Sequence, residues 1–353
     1  MMKKFGGLMK LNMLLIGMAV ILLLAACGGD ETGSAAESEE EEVSDSASDS
    51  TESEEIQELE SVKIVLNWFA NAGHGGIYAA DDQGYFAEKN LDVTIEPGGP
   101  QVSSIQMVSS GSAEFGLAHG DQIVIARNQG IELVALAAIN QRSPQAFMFH
   151  KGHGIDDFDE INGRKAFIQP GIAYWEYFKS KYDLSDVNEV AFTGDHTNFI
   201  QDVDSVNQVY LTGEPFFMEQ QGVETEVKLI SDSGYDPYQY VLYVTKDYLE
   251  ENEETVRNFV TAFSEGWEYF KETPTGTLEL IHEHNPDQSM ESLNYANETF
   301  EEFIYGGDAA EHGVGYMTEE RWSTLINQLD EAGVMEVEVE ATDIFTTEYL
   351  PEK

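Results

Sequence analysis

The chain holds one cysteine, Cys27, in 353 residues. That excludes an internal disulfide, a sulfur-based metal site and a Cys-x-x-Cys redox motif. Cations are scarce too: 18 Lys and Arg stand against 66 Asp and Glu, a formal net charge of −48. Binding DNA or RNA needs clustered cations to displace phosphate counterions, so nucleic acid is excluded as a partner. There is no Gly-x-Ser-x-Gly elbow and no phosphate loop ending in Gly-Lys-Ser/Thr, which removes two common catalytic frameworks. Gly73-His74-Gly75-Gly76 lacks the third glycine of a dinucleotide fingerprint. The histidine pairs His282-x-His284 and His150-x-x-His153 read as solvated, because zinc wants three or four convergent ligands. The acidic run Asp156, Asp157, Asp159, Glu160 lacks the glycine placement of an EF-hand loop. No metal and no cofactor are therefore expected. With 42% hydrophobic and 11% aromatic residues, the chain can still bury a sizeable core.

What is present begins with a leader. Lys3, Lys4 and Lys10 precede an apolar run from Leu11 to Ala26, about 16 residues against the roughly 20 that span a bilayer. This is the order of a secretory signal, predicted over residues 1–26. The run ends in Leu24-Ala25-Ala26-Cys27, which resembles the lipobox of bacterial lipoproteins. The resemblance implies that Cys27 is lipidated and holds the protein to the outer face of the cytoplasmic membrane. Residues 27–61 are rich in Glu, Asp and Ser with few large apolar side chains. Such a segment cannot offset its chain entropy by burial and reads as a solvated tether. Acidity continues beyond it, as expected where high salt screens self-repulsion.

From Val62 the chain alternates. Strands are predicted at Val62–Leu66, Leu91–Ile95, Ala113–Ala118 and Leu133–Ala138, with helices at Gly75–Ala87 and Val102–Val108 and one capped by Asp121 through Arg127. The pattern restarts with strands Lys165–Ile168, Glu189–Phe192 and Val206–Tyr210 and a helix Tyr174–Tyr182. After Tyr240–Val244 it is mostly helical, and Val256, Phe259, Val260, Phe263, Trp267 and Phe270 mark the core face of a helix over Glu254–Lys271. Alternation of this kind implies parallel βαβ units and an α/β fold of two lobes, with ligands at the carboxyl ends of strands.

Leu66-Asn67-Trp68-Phe69, Gly73-His74-Gly75-Gly76-Ile77-Tyr78-Ala79-Ala80, Gly84-Tyr85-Phe86, Gly98-Gly99-Pro100, Ala113-Glu114-Phe115-Gly116 and Gly213-Glu214-Pro215-Phe216 resemble the solute-binding proteins of the nitrate, sulfonate, taurine and thiamine pyrimidine-precursor group. The resemblance runs from about Val62 to Phe270. It implies a type II periplasmic binding protein fold: residues 62–140 and 238–353 form lobe 1 and residues 141–237 form lobe 2. Crossovers would lie near Ala138–Ser143 and Tyr235–Tyr240. It also implies a monomer that hands a small molecule to an ABC permease in the same membrane. Asn67-Trp68-Phe69 and His74 look most like the pyrimidine-precursor binders, and riboflavin stays open as another flat heteroaromatic ligand.

Such a ring wants aromatic faces and a few hydrogen-bonding groups. Trp68, Tyr174, Trp175 and Tyr235 are the candidate faces. Asn67, Gln169, Glu176, Asp195 and Glu214 are candidate polar partners, joined at strand ends by His74, Gly99, Gln101, His119, Asp121 and Asn140. Sulfonate or nitrate would instead want cationic donors, of which Arg127, Arg142 and Arg164 are the main ones. Pyrimidine-synthesising relatives on this fold use a histidine and a cysteine-rich motif with iron. This chain has no cysteine for that motif, so transport and not catalysis is expected.

Overall fold

The computed structural model describes residues 59–352. The leader, Cys27 and the tether up to residue 58 lie outside the described residues. Among the described residues ten strands form two sheets: β1 (Glu60–Val65), β2 (Leu91–Glu96), β3 (Phe115–Ala118), β4 (Leu133–Asn140), β5 (Gln145–His150), β6 (Lys165–Ile168), β7 (Asn188–Ala191), β8 (Val206–Tyr210), β9 (Thr225–Leu229) and β10 (Gln239–Thr245). One sheet has the order β2-β1-β3-β10-β4 and the other β7-β6-β8-β5-β9. Glu60 and Ser61, expected in the tether, pair with Leu91 and Asp92 as the first residues of β1.

The sheets are mixed: each combines the expected parallel pairs with antiparallel ones. β1 is parallel to β2 and β3, and β6 is parallel to β7 and β8. β10 is antiparallel to β3 and β4, and β5 is antiparallel to β8 and β9. The reason is topological. β5 and β10 each arrive from the other lobe, so they enter their sheets at the edge where the parallel strands end. Carboxyl ends of β1, β3, β4 and β8 therefore meet amino ends of β5 and β10 between the lobes.

Two helix predictions change. Gly84 (φ 79°) ends the helix Gly75–Asp82 and a separate turn, Tyr85–Glu88, follows. Glycine reaches this left-handed region without the Cβ penalty. The helix Gly120–Asn128 is capped at position His119, not by Asp121. The Asp121 carboxylate instead accepts from the Gln122 N–H (2.8 Å) and the Tyr235 hydroxyl (3.0 Å). The long helix Glu253–Glu272 buries Val256, Phe259, Val260, Phe263, Trp267 and Phe270, the apolar face read from its spacing. It lies so close to Gly75–Asp82 that a Cβ on Gly266 would stand 2.1 Å from the Gly76 carbonyl oxygen.

The hinge is tied from the carboxyl-terminal side. Arg321, on the helix Glu319–Glu331, donates to the carbonyls of Gln141 and Asp236, one on each crossover. It also pairs with the Asp236 carboxylate (3.3 Å) and lies 3.9 Å from the Tyr238 ring centroid. Asp236 Oδ1 accepts from the Ser143 N–H at 2.7 Å, joining the crossovers directly. This helix packs on Gly120–Asn128 and also on Ala173–Lys181, so it touches both lobes.

Candidate functional site

β1 delivers Asn67 to the space between the lobes, and the 3-10 turn Ala72–His74 places His74 beside it. Asn71 holds that turn by accepting from the Gly73 N–H at 2.8 Å. His74 is fully buried, which pushes its pKa down to about 3. The Asn71 N–H donates to Nδ1 (3.3 Å), so the proton sits on Nε2 and is donated to Asn67 Oδ1 (3.0 Å). His74 is thus a neutral ring of fixed tautomer.

Tyr240 packs on it, with ring centroids 5.1 Å apart, and also faces His119 and Phe300. Its φ of 52° is a left-handed value for a bulky residue inside a strand, and such strain concentrates where function requires it. Burial pushes its hydroxyl up to about 12. From the opposite lobe Tyr210 brings its hydroxyl to 3.3 Å from His119 Nε2 and accepts from Gln145 Nε2 at 3.0 Å. Burial lowers the His119 pKa against the opposing pull of Asp121, and raises that of Tyr210. Glu214, which opens the helix Glu214–Gln220, accepts from the Tyr210 N–H (2.9 Å), and burial raises its pKa. Farther along the cleft Tyr295 donates to the Leu211 carbonyl (3.1 Å) and stacks on Phe216, centroids 5.1 Å apart. The result is a cluster of aromatic and amide groups bridging the lobes, with the Glu214 carboxyl against it.

Of the candidates, Asn67, His74, His119 and Glu214 fall in or against this cluster. Asn140, at the end of β4, is fully buried and pairs in register with Gln239. Trp68 and Phe69 are exposed, edge to face at the mouth of β1, with Phe69 lying over Gly99. Gln101 is exposed in the following turn.

The lobe 2 aromatics are corrected. Tyr174 and Trp175 are core, packed around Phe147 and Phe178, and offer no open face. The Tyr174 hydroxyl nonetheless reaches Gln208 Oε1 (3.0 Å), which also accepts from the Gln169 N–H (2.6 Å). Tyr235 is buried against Tyr177 with its hydroxyl on Asp121. Glu176 is paired with Lys179 at 2.9 Å. Asp195 is exposed and accepts from the Thr197 N–H (2.7 Å), in a depression of about 490 Å³ that it lines with His196 and Phe217. Sequence reasoning missed Asn71, Gln145, Tyr210, Gln239, Tyr240 and Tyr295. The carboxyl-end rule applied to β8 would have found Tyr210, whereas Gln145, Gln239 and Tyr240 stand at the amino ends of antiparallel strands, where that rule does not look.

The arginines are occupied. Arg127 donates to the Leu133 carbonyl and Arg164 to the carbonyls of His153 and Glu160. Arg142 is spent on Ser231 and Asp232.

A family model described as "NMT1/THI5 like" matches residues 71–277. The formylaminopyrimidine-binding protein of Halalkalibacterium halodurans is 24% identical over 301 residues, covering 82% of this chain and 91% of that protein. The riboflavin-binding protein RibY of Chloroflexus aurantiacus is 24% identical over 360 residues, covering 98% and 99%. Among solved structures, the periplasmic aliphatic sulphonate binding protein SsuA of Escherichia coli superposes with a TM-score of 0.63 at 13% identity, over 83% of this chain and 94% of that one. This likeness fixes the fold as that of a type II periplasmic binding protein, two α/β lobes about a hinge. With the matched segment spanning more than half its length, the chain belongs to the NMT1/THI5-like family.

Proposed function

We propose that the protein is the extracytoplasmic solute-binding component of an ABC importer, anchored through lipidated Cys27, and that it closes on a small flat heteroaromatic of the thiamine pyrimidine-precursor class. The neutral cluster of Asn67, His74, Tyr240, His119 and Tyr210 between the lobes carries the reading. Aromatic faces and amide edges suit an uncharged ring. Sulfonate or nitrate would want a free cation, and Arg127, Arg142 and Arg164 are each engaged elsewhere. The bound ring lies against His74 and Tyr240, with Trp68 at the mouth. Hinge closure about Arg321 and Asp236 then presents one closed shape to the permease. Riboflavin is the second reading, favoured by the likeness to RibY along nearly the whole chain.

The test is a thermal-shift screen of the detergent-solubilised full chain against aminopyrimidines, riboflavin, taurine, alkanesulfonates and nitrate. A ligand at a hundred times its Kd stabilises the fold by about 2.7 kcal/mol. A shift with pyrimidines alone is expected, and a shift with anions alone overturns the ligand class. Product formation with stoichiometric iron would overturn the transport role.

A further inference from the structure

Three amides at the hinge end of the cleft are nearly or fully buried: Asn140 is 0% exposed, Gln239 1% and Gln145 5%. Two of them spend their nitrogens inside the protein. Gln239 Nε2 donates to Ser143 Oγ (2.7 Å) and Gln145 Nε2 to the Tyr210 hydroxyl (3.0 Å). Their oxygens, Gln239 Oε1 and Gln145 Oε1, have no hydrogen-bond partner among the described residues, and both amide atoms of Asn140 share that condition. A buried amide without partners costs about 1–3 kcal/mol, and a native fold retains such groups for a reason. Asn140 and Gln239 are opposite one another in the β4–β10 ladder, so their side chains share one face of the sheet. Gln145 connects through Tyr210 to His119, whose Nδ1 is likewise sealed and unpartnered.

We propose that Asn140, Gln145 and Gln239 form an acceptor-rich niche that reads the N–H-bearing edge of the bound solute, selecting an amino-substituted heteroaromatic over its alkylated analogue and over oxyanions. The inference rests on the solute-binding reading and adds the specificity to it. The three side chains together offer three unpartnered amide oxygens and one unpartnered amide nitrogen, Asn140 Nδ2. An exocyclic amino group beside a ring nitrogen matches that set: N–H donors meet the oxygens and the ring nitrogen accepts from Asn140. An oxyanion brings only acceptors and leaves the three oxygens unpaired. Sites built to hydrogen-bond a ligand group reject the analogue lacking it far more strongly than apolar pockets do.

The experiment is calorimetric titration of the detergent-solubilised full chain with 4-amino-2-methylpyrimidine and its 4-dimethylamino analogue, with riboflavin and N3-methylriboflavin as a second such pair, and with taurine and nitrate. Wild type is expected to prefer the N–H form of a pair at least tenfold. Asn140→Leu and Gln239→Met should cut that preference to about threefold or less. The Asn140 side chain makes no hydrogen bond within the described residues, so Asn140→Leu should keep or raise the ligand-free Tm. A purely structural role would lower it, and a Tm several degrees below wild type overturns the niche. Undiminished preference in both variants overturns it too while leaving solute binding intact. Tighter binding of nitrate, which has no N–H donor, than of any ring overturns the selectivity. If none of the probes binds wild type, the solute-binding reading fails and the niche with it.

Discussion

Arg321→Gln tests the hinge. The guanidinium donates to both crossover carbonyls, pairs with Asp236 and covers the Tyr238 ring. The two charged side chains are 24% and 31% exposed, between the regimes of a buried pair, where removing one partner costs about 3–5 kcal/mol, and a surface pair worth about 0–1. An ion-pair share of about 1–2 kcal/mol, a cation–π share of about 1 and the weakened carbonyl bonds give a loss of about 3 kcal/mol. The pH dependence has a definite sign. Burial holds the Asp236 carboxyl above its ordinary range, while Arg321 and the Ser143 N–H pull it back down. Without Arg321 it rises further. A carboxyl whose folded pKa exceeds its unfolded one binds more protons when folded, so stability falls as pH rises through that window. The deficit of Arg321→Gln should therefore be full at pH 7.5 and smaller near pH 4.5. Urea unfolding of both proteins at the two pH values reads it directly. Equal deficits, or a deficit under about 1 kcal/mol, refute the argument.

His74 gives the opposite slope: its folded pKa is far below 6.5, so its contribution is full above pH 6.5 and falls by about 1.4 kcal/mol per unit below it. Relative to His74→Gln, wild type should lose roughly 2 kcal/mol between pH 6.5 and 4.5 by urea unfolding, and a flat difference would contradict the buried neutral ring. Trp68→Ala and Trp175→Ala should separate binding from folding. The exposed Trp68 should cost under about 1 kcal/mol yet weaken ring binding, whereas the buried Trp175 should cost about 3–5 kcal/mol; calorimetry and chemical denaturation on the same two proteins check both. Gly266→Ala drives a Cβ into the Gly76 carbonyl and should lower stability by more than about 2 kcal/mol in denaturant titration. Finally, the −48 charge predicts a Tm that climbs with NaCl through screening, and a Tm independent of salt would remove the case for salt adaptation.

The secondary structure was legible where a residue's surroundings are its sequence neighbours. The Glu253–Glu272 face follows from the 3.6-residue spacing of Val256 to Phe270, and β6 and β8 match their predicted ends. The direction of β5 and β10 was not legible, because it depends on which lobe the chain has just left. The same nonlocality hid half of the candidate site. Tyr210 and Gln239 are ordinary strand residues in a linear reading, and only the return of β10 sets Gln239 opposite Asn140.

Aromatic content misled in the other direction. Trp175 and Tyr174 follow a strand, as a ligand platform would, yet the helix that carries them turns their rings onto Phe147 and Phe178. A large apolar ring is drawn into whatever core its helix covers, so aromatics alone indicate burial as readily as ligand contact. A buried amide has no such alternative: desolvation works against it unless a partner compensates. In this cleft the more diagnostic side chains are therefore Asn140, Gln145 and Gln239, whose burial no apolar driving force explains.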